Sequence, residues 1–136
     1  MTVLLTDTSL WVDLLRGTGG TSREQLAREV RRGADSALHI CEPVVMELVG
    51  GAGSHDAARV SLLVDSLPTV ALDASVDFRA AGDLYRMARL RGRTVRSFVD
   101  CLIAAIAIRT GSVVVHRDRD FESLAAVSPL QQERWG

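Results

Sequence analysis

The sequence predicts an α/β domain: a parallel sheet covered by helices on both faces. Short β-rich runs alternate with helical runs along all 136 residues, with no hairpin turn signals between the strands. The run Ser112–His116, carrying Val113, Val114 and Val115, is the most apolar of the strands. The run Ser97–Ile108 is apolar everywhere except Ser97 and Asp100. A helix of that composition leaves no side for water and belongs in the core.

Taken in order, Thr2–Thr6 reads as a strand through Val3, Leu4 and Leu5, ending at Asp7. Ser9 is placed to cap a helix over Leu10–Arg16, which Gly17 stops. Thr21 or Ser22 opens a polar helix running to Arg32 and closed by Gly33. Leu38–Cys41 is the second strand, and Pro43 suits the first turn of a helix over Val44–Val49. A helix follows from Ser54 to about Leu67, then Pro68, then a third strand over Thr69–Leu72. Ala74–Leu90 is a long amphipathic helix that ends near Gly92. The apolar helix comes next, stopped by Gly111, and Ser112–His116 is the fourth strand. Phe121–Val127 is a last short helix before a tail with Pro129 and Trp135. Repeats and linkers are absent, so one domain is expected over residues 1–136.

Hydrophobic residues make up 47% of the chain, which argues for a globular fold. Net charge is −1, so no overall positive field attracts polyanions, and any nucleic-acid contact must be local. Cys41 and Cys101 have no metal-ligand spacing and sit in apolar surroundings, as buried reduced thiols do. Neither a signal-peptide pattern nor a membrane-length apolar run is present, so a soluble, cytoplasmic protein is expected.

Three acids fall where α/β sheets gather functional groups, just past the carboxyl ends of strands, and a fourth, Asp100, is placed where it could point to the same edge. Asp7 follows the first strand, Glu47 lies one turn into the helix after the second, and Asp118 follows the fourth. Asp100 sits near the start of the apolar helix, where an ionised carboxylate is costly unless something meets it. A second reading of Asp100 stands beside this one: Ser97 three residues earlier has capping-box spacing, which makes Asp100 a helix-start device. Four carboxylates sharing a site need a cation, because like charges raise one another's pKa. An all-oxygen ligand set suits Mg²⁺ or Mn²⁺.

These residues resemble a known family. Asp7-Thr8-Ser9 after an apolar strand, Pro43 followed by Glu47-Leu48, Asp100 followed by Ile103-Ala104-Ala105, and Val115-His116-Arg117-Asp118-Arg119-Asp120-Phe121 are similar, in order and spacing, to PIN-domain motifs of VapC-type toxins. The resemblance implies a PIN-like three-layer fold and a Mg²⁺-dependent endoribonuclease, with Mn²⁺ able to substitute. It also implies inhibition by a VapB-type antitoxin, frequent homodimers, and products ending in 5′-phosphate and 3′-hydroxyl. It carries metal-site roles onto Asp7, Glu47, Asp100 and Asp118, with Asp120 as the alternative fourth acid. Thr8 either supports that site or caps the first helix beside Ser9.

Five arginines (Arg86, Arg89, Arg91, Arg93, Arg96) and no acid lie between Leu84 and Val99, running directly into Asp100. Arg93 and Arg96, with Arg117 beside Asp118, are expected to contact RNA phosphates. A solvated helix face is the competing account, since Arg86, Arg89 and Arg93 share one side. Only one Tyr, two Trp and three Phe are present, which argues against a platform stacking several bases. Trp11, Leu14 and Leu15 read as core, with an interface as the alternative. Two other function classes compete. In a haloacid-dehalogenase-like phosphatase, Asp7 is the nucleophile, but Ser9 stands where a second acid is wanted and the chain has no Lys. A non-catalytic PIN-like RNA-binding module would have lost one or more of the acids.

Overall fold

The computed structural model describes residues 2–136. Four parallel strands form one sheet in the order β2-β1-β3-β4: β1 Leu4–Thr6, β2 Leu38–His39, β3 Val113–His116 and β4 Gln131–Arg134. Leu4 of β1 faces Leu38 on one side and Val113 on the other. Leu5 and Thr6, like Val114, Val115 and His116, are buried at consecutive positions. Strands buried on alternate residues alone have one face in water; these are covered on both.

Among the described residues seven α-helices surround the sheet: α1 Thr8–Arg16, α2 Thr21–Val30, α3 Glu42–Gly51, α4 Ala57–Ser66, α5 Asp77–Leu90, α6 Phe98–Thr110 and α7 Arg119–Ala125. Helix α6 is buried without interruption from Asp100 to Ala107, as its composition predicts. Gly17 and Gly111 close α1 and α6 with φ near +70°, a conformation in which a Cβ is strained. Trp11 is fully buried and its Nε1–H donates to Thr6 Oγ1 at 2.7 Å, so the first helix is fastened to the core by an aromatic anchor. Among the described residues no helix is long and apolar enough to cross a membrane.

Three elements depart from the sequence reading. The cap of α1 is Asp7, not Ser9: the Asp7 carboxylate accepts the Ser9 N–H, and the helix starts at Thr8. The expected strand at Thr69–Leu72 shrinks to one bridge, Thr69 against Ile40. Its would-be neighbour turns into α3 immediately after Ile40, and the Leu72 N–H is taken by the Glu42 carboxylate at 2.9 Å. Conversely, the tail forms β4 along β3. Its residues, Gln131 to Arg134, carry no apolar alternation because it is an edge strand; Trp135 anchors it, donating N–H to the His116 carbonyl at 2.8 Å.

A buried ion pair ties α5 to the end of α6. Arg109 Nε and Nη2 donate to the two Asp77 carboxylate oxygens at 2.9 Å each, and Nη2 also reaches the Ala71 carbonyl at 2.7 Å. Asp77→Ala is expected to lower stability by about 2 kcal/mol, less than for a fully buried pair because Arg109 is partly hydrated. Urea unfolding of the two proteins measures it, and an unchanged midpoint would reduce the pair to a surface contact.

Candidate metal centre

The carboxyl edge of the sheet collects acids from four elements. Asp7 is the first residue beyond β1. Its Oδ2 accepts the Ser9 hydroxyl at 2.6 Å and the Ser9 N–H at 3.3 Å. Burial pushes its pKa up to about 6; the Ser9 hydrogen bonds pull against this, and the Glu47 charge adds to it. Glu47, half-buried on α3, accepts the Thr8 hydroxyl on Oε1 at 2.6 Å.

Asp100 lies in the first turn of α6, Asp118 caps α7, and Asp120 is in the first turn of α7. These three acids each offer an oxygen, all within 4.8 Å of one another. Asp120 is 2% exposed and Asp100 6%. Burial, then the Asp7 charge, a hydrogen bond with the Asp120 carboxyl and the Asp118 and Asp120 charges push Asp100 up to about 9. A metal-free centre therefore keeps a proton at Asp100 through neutral pH.

The supporting contacts fix each acid. Ser97 Oγ accepts the Val99 and Asp100 N–H groups, so capping of α6 is done by Ser97 while the Asp100 carboxyl turns to the other acids. Asp118 Oδ1 accepts the Asp120 N–H at 2.9 Å. His116 is wholly buried, and burial lowers its pKa. Its Nδ1 accepts the Asp118 N–H at 3.0 Å, which leaves the proton on Nε2 to donate to Gln132 Oε1 at 2.6 Å. Strand β4 thus sets the tautomer of the residue that holds Asp118.

Arg96, on the loop between α5 and α6, is the one cation within ion-pair distance of the three acids among the described residues. Its N–H donates to Asp120 Oδ2 at 3.1 Å; its guanidinium lies 3.4 Å from Asp118 and 3.8 Å from Asp120 and is 66% exposed. Arg93 is exposed and forms no ion pair among the described residues. Arg117 instead gives its guanidinium to Asp13 of α1 at 2.7 Å.

Of the predicted site residues, Asp100 and Asp118 come together, and so does Asp120. Asp118, the preferred fourth acid, and Asp120, its alternative, both lie in the cluster. Asp7 lies close enough for its charge to act on Asp100, and Glu47 close enough to act on Asp7. The Thr8–Glu47 bridge, the Ser9–Asp7 clasp and the His116–Gln132 pair are supports whose partners lie far apart in sequence or, for Ser9, were read as a cap.

The donor set fits a hard divalent cation: carboxylate oxygens only, crowded and largely buried, with one exposed arginine against them. Softer ligation has no support here. Cys41 and Cys101 are both buried, and burial pushes each thiol up to about 12, so neither supplies a thiolate at neutral pH.

The PIN domain family model matches residues 4–127. The chain is 43% identical over 130 residues to VapC ribonuclease Mb1587 of Mycobacterium bovis, across 95% of this chain and 96% of that one. It is equally similar to ribonuclease VapC11 of Mycobacterium tuberculosis. The fold is similar to that of VapBC2 from Rickettsia felis, solved on a promoter DNA fragment, with TM-score 0.76, 16% identity, and coverage of 99% of this chain and 100% of the other. VapBC from Salmonella typhimurium, solved bound to DNA, gives TM-score 0.75 at 20% identity, covering both chains fully. At such identities those structures speak to the fold alone; the family rests on the matched model and the 43% relatives. The chain belongs to the PIN-domain family, in its group of VapC ribonucleases.

Proposed function

We propose that this protein is the toxin of a type II toxin–antitoxin pair: a Mg²⁺-dependent endoribonuclease that hydrolyses RNA phosphodiesters and is inhibited by a VapB-type antitoxin. The observation that carries this is the meeting of Asp100, Asp118 and Asp120 within 4.8 Å, beside the charge of Asp7. A folded chain crowds carboxylates in this way when a cation is to be held there.

In this reading Asp7, Asp100, Asp118 and Asp120 hold the metal. Bound Mg²⁺ supplies charge neutralisation at the phosphate and acidifies water at neutral pH. The chain's own contributions are positional. Ser9 keeps Asp7 aimed at the centre, His116 holds Asp118, and the Arg96 N–H holds Asp120. Glu47, steadied by the Thr8 hydroxyl, orients an attacking water or takes its proton. Arg93 and Arg96 meet the strand's phosphates at the rim, with Arg96 released from the acids as they take up metal. Arg117 is committed to Asp13 and contributes to RNA only if that pair opens.

The names of the relatives, ribonucleases, and of the structural neighbours, VapBC complexes, support both the reaction and the partner class. The reading takes residues 1–136 as one PIN-like domain, free to form a homodimer and acting on RNA in the cytoplasm. The phosphatase alternative is not favoured: Ser9 occupies the place of its second acid, with its hydroxyl spent on Asp7.

Cleavage of a short single-stranded RNA is expected with Mg²⁺ or Mn²⁺ and lost in EDTA. Cleavage at full rate in EDTA would remove the metal from the reaction. Sequencing RNA ends after brief induction in cells identifies the substrate and should find 5′-phosphates.

A further inference from the structure

We infer that Phe98, stacked on Tyr85, forms a subsite for one unpaired base of the nucleic acid strand that enters the acid centre. This rests on the endoribonuclease reading and adds a specificity element that the acids do not contain. The two rings lie with centroids 4.2 Å apart and planes inclined by 30°. Tyr85, half-buried on α5, backs Phe98 on one side, while Phe98 remains 64% exposed as the first residue of α6. A large ring fixed from behind and open in front offers its face to a planar partner at small entropic cost.

The surroundings say which planar partner. A cleft of about 230 Å³ opens beside Tyr85, lined by Arg89, Gly92, Arg93, Thr94 and Val95. Arg89, Arg91 and Arg93 form no ion pair among the described residues, whereas Arg86 pairs with Asp83 at 3.8 Å. Two unpaired arginines, Arg89 and Arg93, in a cleft beside Tyr85, the ring that backs Phe98, suit a ligand that alternates phosphates with flat bases.

Continuity with the acid centre supports the same occupant. Phe98 and Asp100 share the first turn of α6, on opposed sides and about 3 Å apart along the helix axis. Arg96, one residue before the Ser97 cap, has its guanidinium 3.4 Å from Asp118, so the arginine-rich loop that precedes Phe98 reaches the acid centre. A strand crossing the N-terminus of α6 reaches the acids with its phosphate and Phe98 with a neighbouring base. A second copy of the chain suits the patch poorly, since a two-fold contact would set the arginine block against itself.

The test uses the full-length parent, Phe98→Ala, Phe98→Trp and the pair Arg89→Ala with Arg93→Ala. Binding of a mixed-sequence single-stranded RNA and of inorganic polyphosphate is measured by competition in EDTA, so that no strand is cut. Phe98→Ala is expected to weaken RNA binding roughly 5- to 100-fold and leave polyphosphate binding unchanged. Phe98→Trp should restore or tighten RNA binding, and the double arginine variant should weaken both ligands. Equal RNA affinity for parent and Phe98→Ala overturns the subsite, as does an equal loss on RNA and polyphosphate. Dissociation of a dimer by Phe98→Ala, with RNA affinity unchanged, overturns it too and assigns the ring to a second copy. Parent cleavage of the same RNA with Mg²⁺ separates the two readings. If the parent cuts and Phe98→Ala binds like parent, only the subsite fails; if the parent neither binds nor cuts, both fail.

Discussion

Asp100→Asn is expected to lower RNA cleavage by at least roughly 100-fold and to remove most of the stabilisation that Mg²⁺ gives the parent protein. Asn preserves the shape of the side chain and can still offer an oxygen, but it cannot supply the negative charge that Asp100 would give a bound cation from among three acids within 4.8 Å. For the parent, Mg²⁺ at 100 times its dissociation constant raises stability by about 2.7 kcal/mol through mass action. The mutant should show little of this gain at the same concentration. The helix-start account of Asp100 predicts otherwise, with a loss of about 0.3–1 kcal/mol whether or not metal is present. Ser97 already caps α6 through Val99 and Asp100, and the substitution leaves that contact in place. Melting curves in EDTA and in Mg²⁺, beside cleavage assays, decide between the two. A mutant that melts lower in EDTA yet cuts RNA at the parent rate would end the metal-ligand role.

The acids were legible because each breaks a local rule. Asp100 interrupts a helix otherwise fit only for the core, while Asp7 and Asp118 sit directly after strands whose apolar residues are readable by eye. Sequence could not say whether Asp118 or Asp120 joins Asp100, since that depends on the angle at which α7 leaves β3. The structure has Asp118 capping the helix and Asp120 folded inward, so both arrive. Strand β4 was invisible for a physical reason. An edge strand of Gln131, Gln132, Glu133 and Arg134 has no hydrophobic pattern, and its pairing is supplied by β3 and Trp135. The third strand failed in the opposite direction: Thr69–Leu72 has the right composition, but its neighbour had already become α3. The arginine block was readable as charge, yet not its division: Arg96 lies on the acids and Arg86 on Asp83, while Arg117 outside the block lies on Asp13. The stacked ring pair escaped notice because Tyr85 and Phe98 are thirteen residues apart and only the packing of α5 on α6 joins them.

Without metal, stability is expected to fall as pH rises from 7 to 9, and saturating Mg²⁺ should abolish this fall at Asp100. The sign follows from Asp100. In the unfolded chain its carboxyl has an ordinary pKa of 3.8; in the folded protein burial and its acidic neighbours push it up to about 9. Between those values the folded state holds a proton that the unfolded state has lost, so raising pH favours unfolding. The slope approaches about 1.4 kcal/mol per pH unit when one proton differs between the states. From pH 7 to 8 this group dominates; nearer pH 9 the Cys41 and Cys101 thiols, pushed by burial from 9.0 to about 12, add to the same fall. Asp7, raised by burial to about 6, acts below this range. His116, lowered by burial, opposes the trend only below its ordinary 6.5. Asp77 is buried but held low by Arg109 and acts only under the ordinary carboxylate range. Metal binding requires the ionised carboxylates and releases the Asp100 proton, so with saturating Mg²⁺ neither the folded nor the unfolded state holds that proton and the fall in stability levels off. Asp100→Asn removes this titrating group, so its metal-free curve should be nearly flat from pH 7 to 8 and fall toward pH 9 only by the share of the two buried thiols. Thermal or urea unfolding of parent and mutant at pH 7, 8 and 9, each in EDTA and in Mg²⁺, gives the slopes directly. Parallel slopes for parent and mutant in EDTA would mean that Asp100 is already ionised in the folded protein, compensated by a cation such as Arg96.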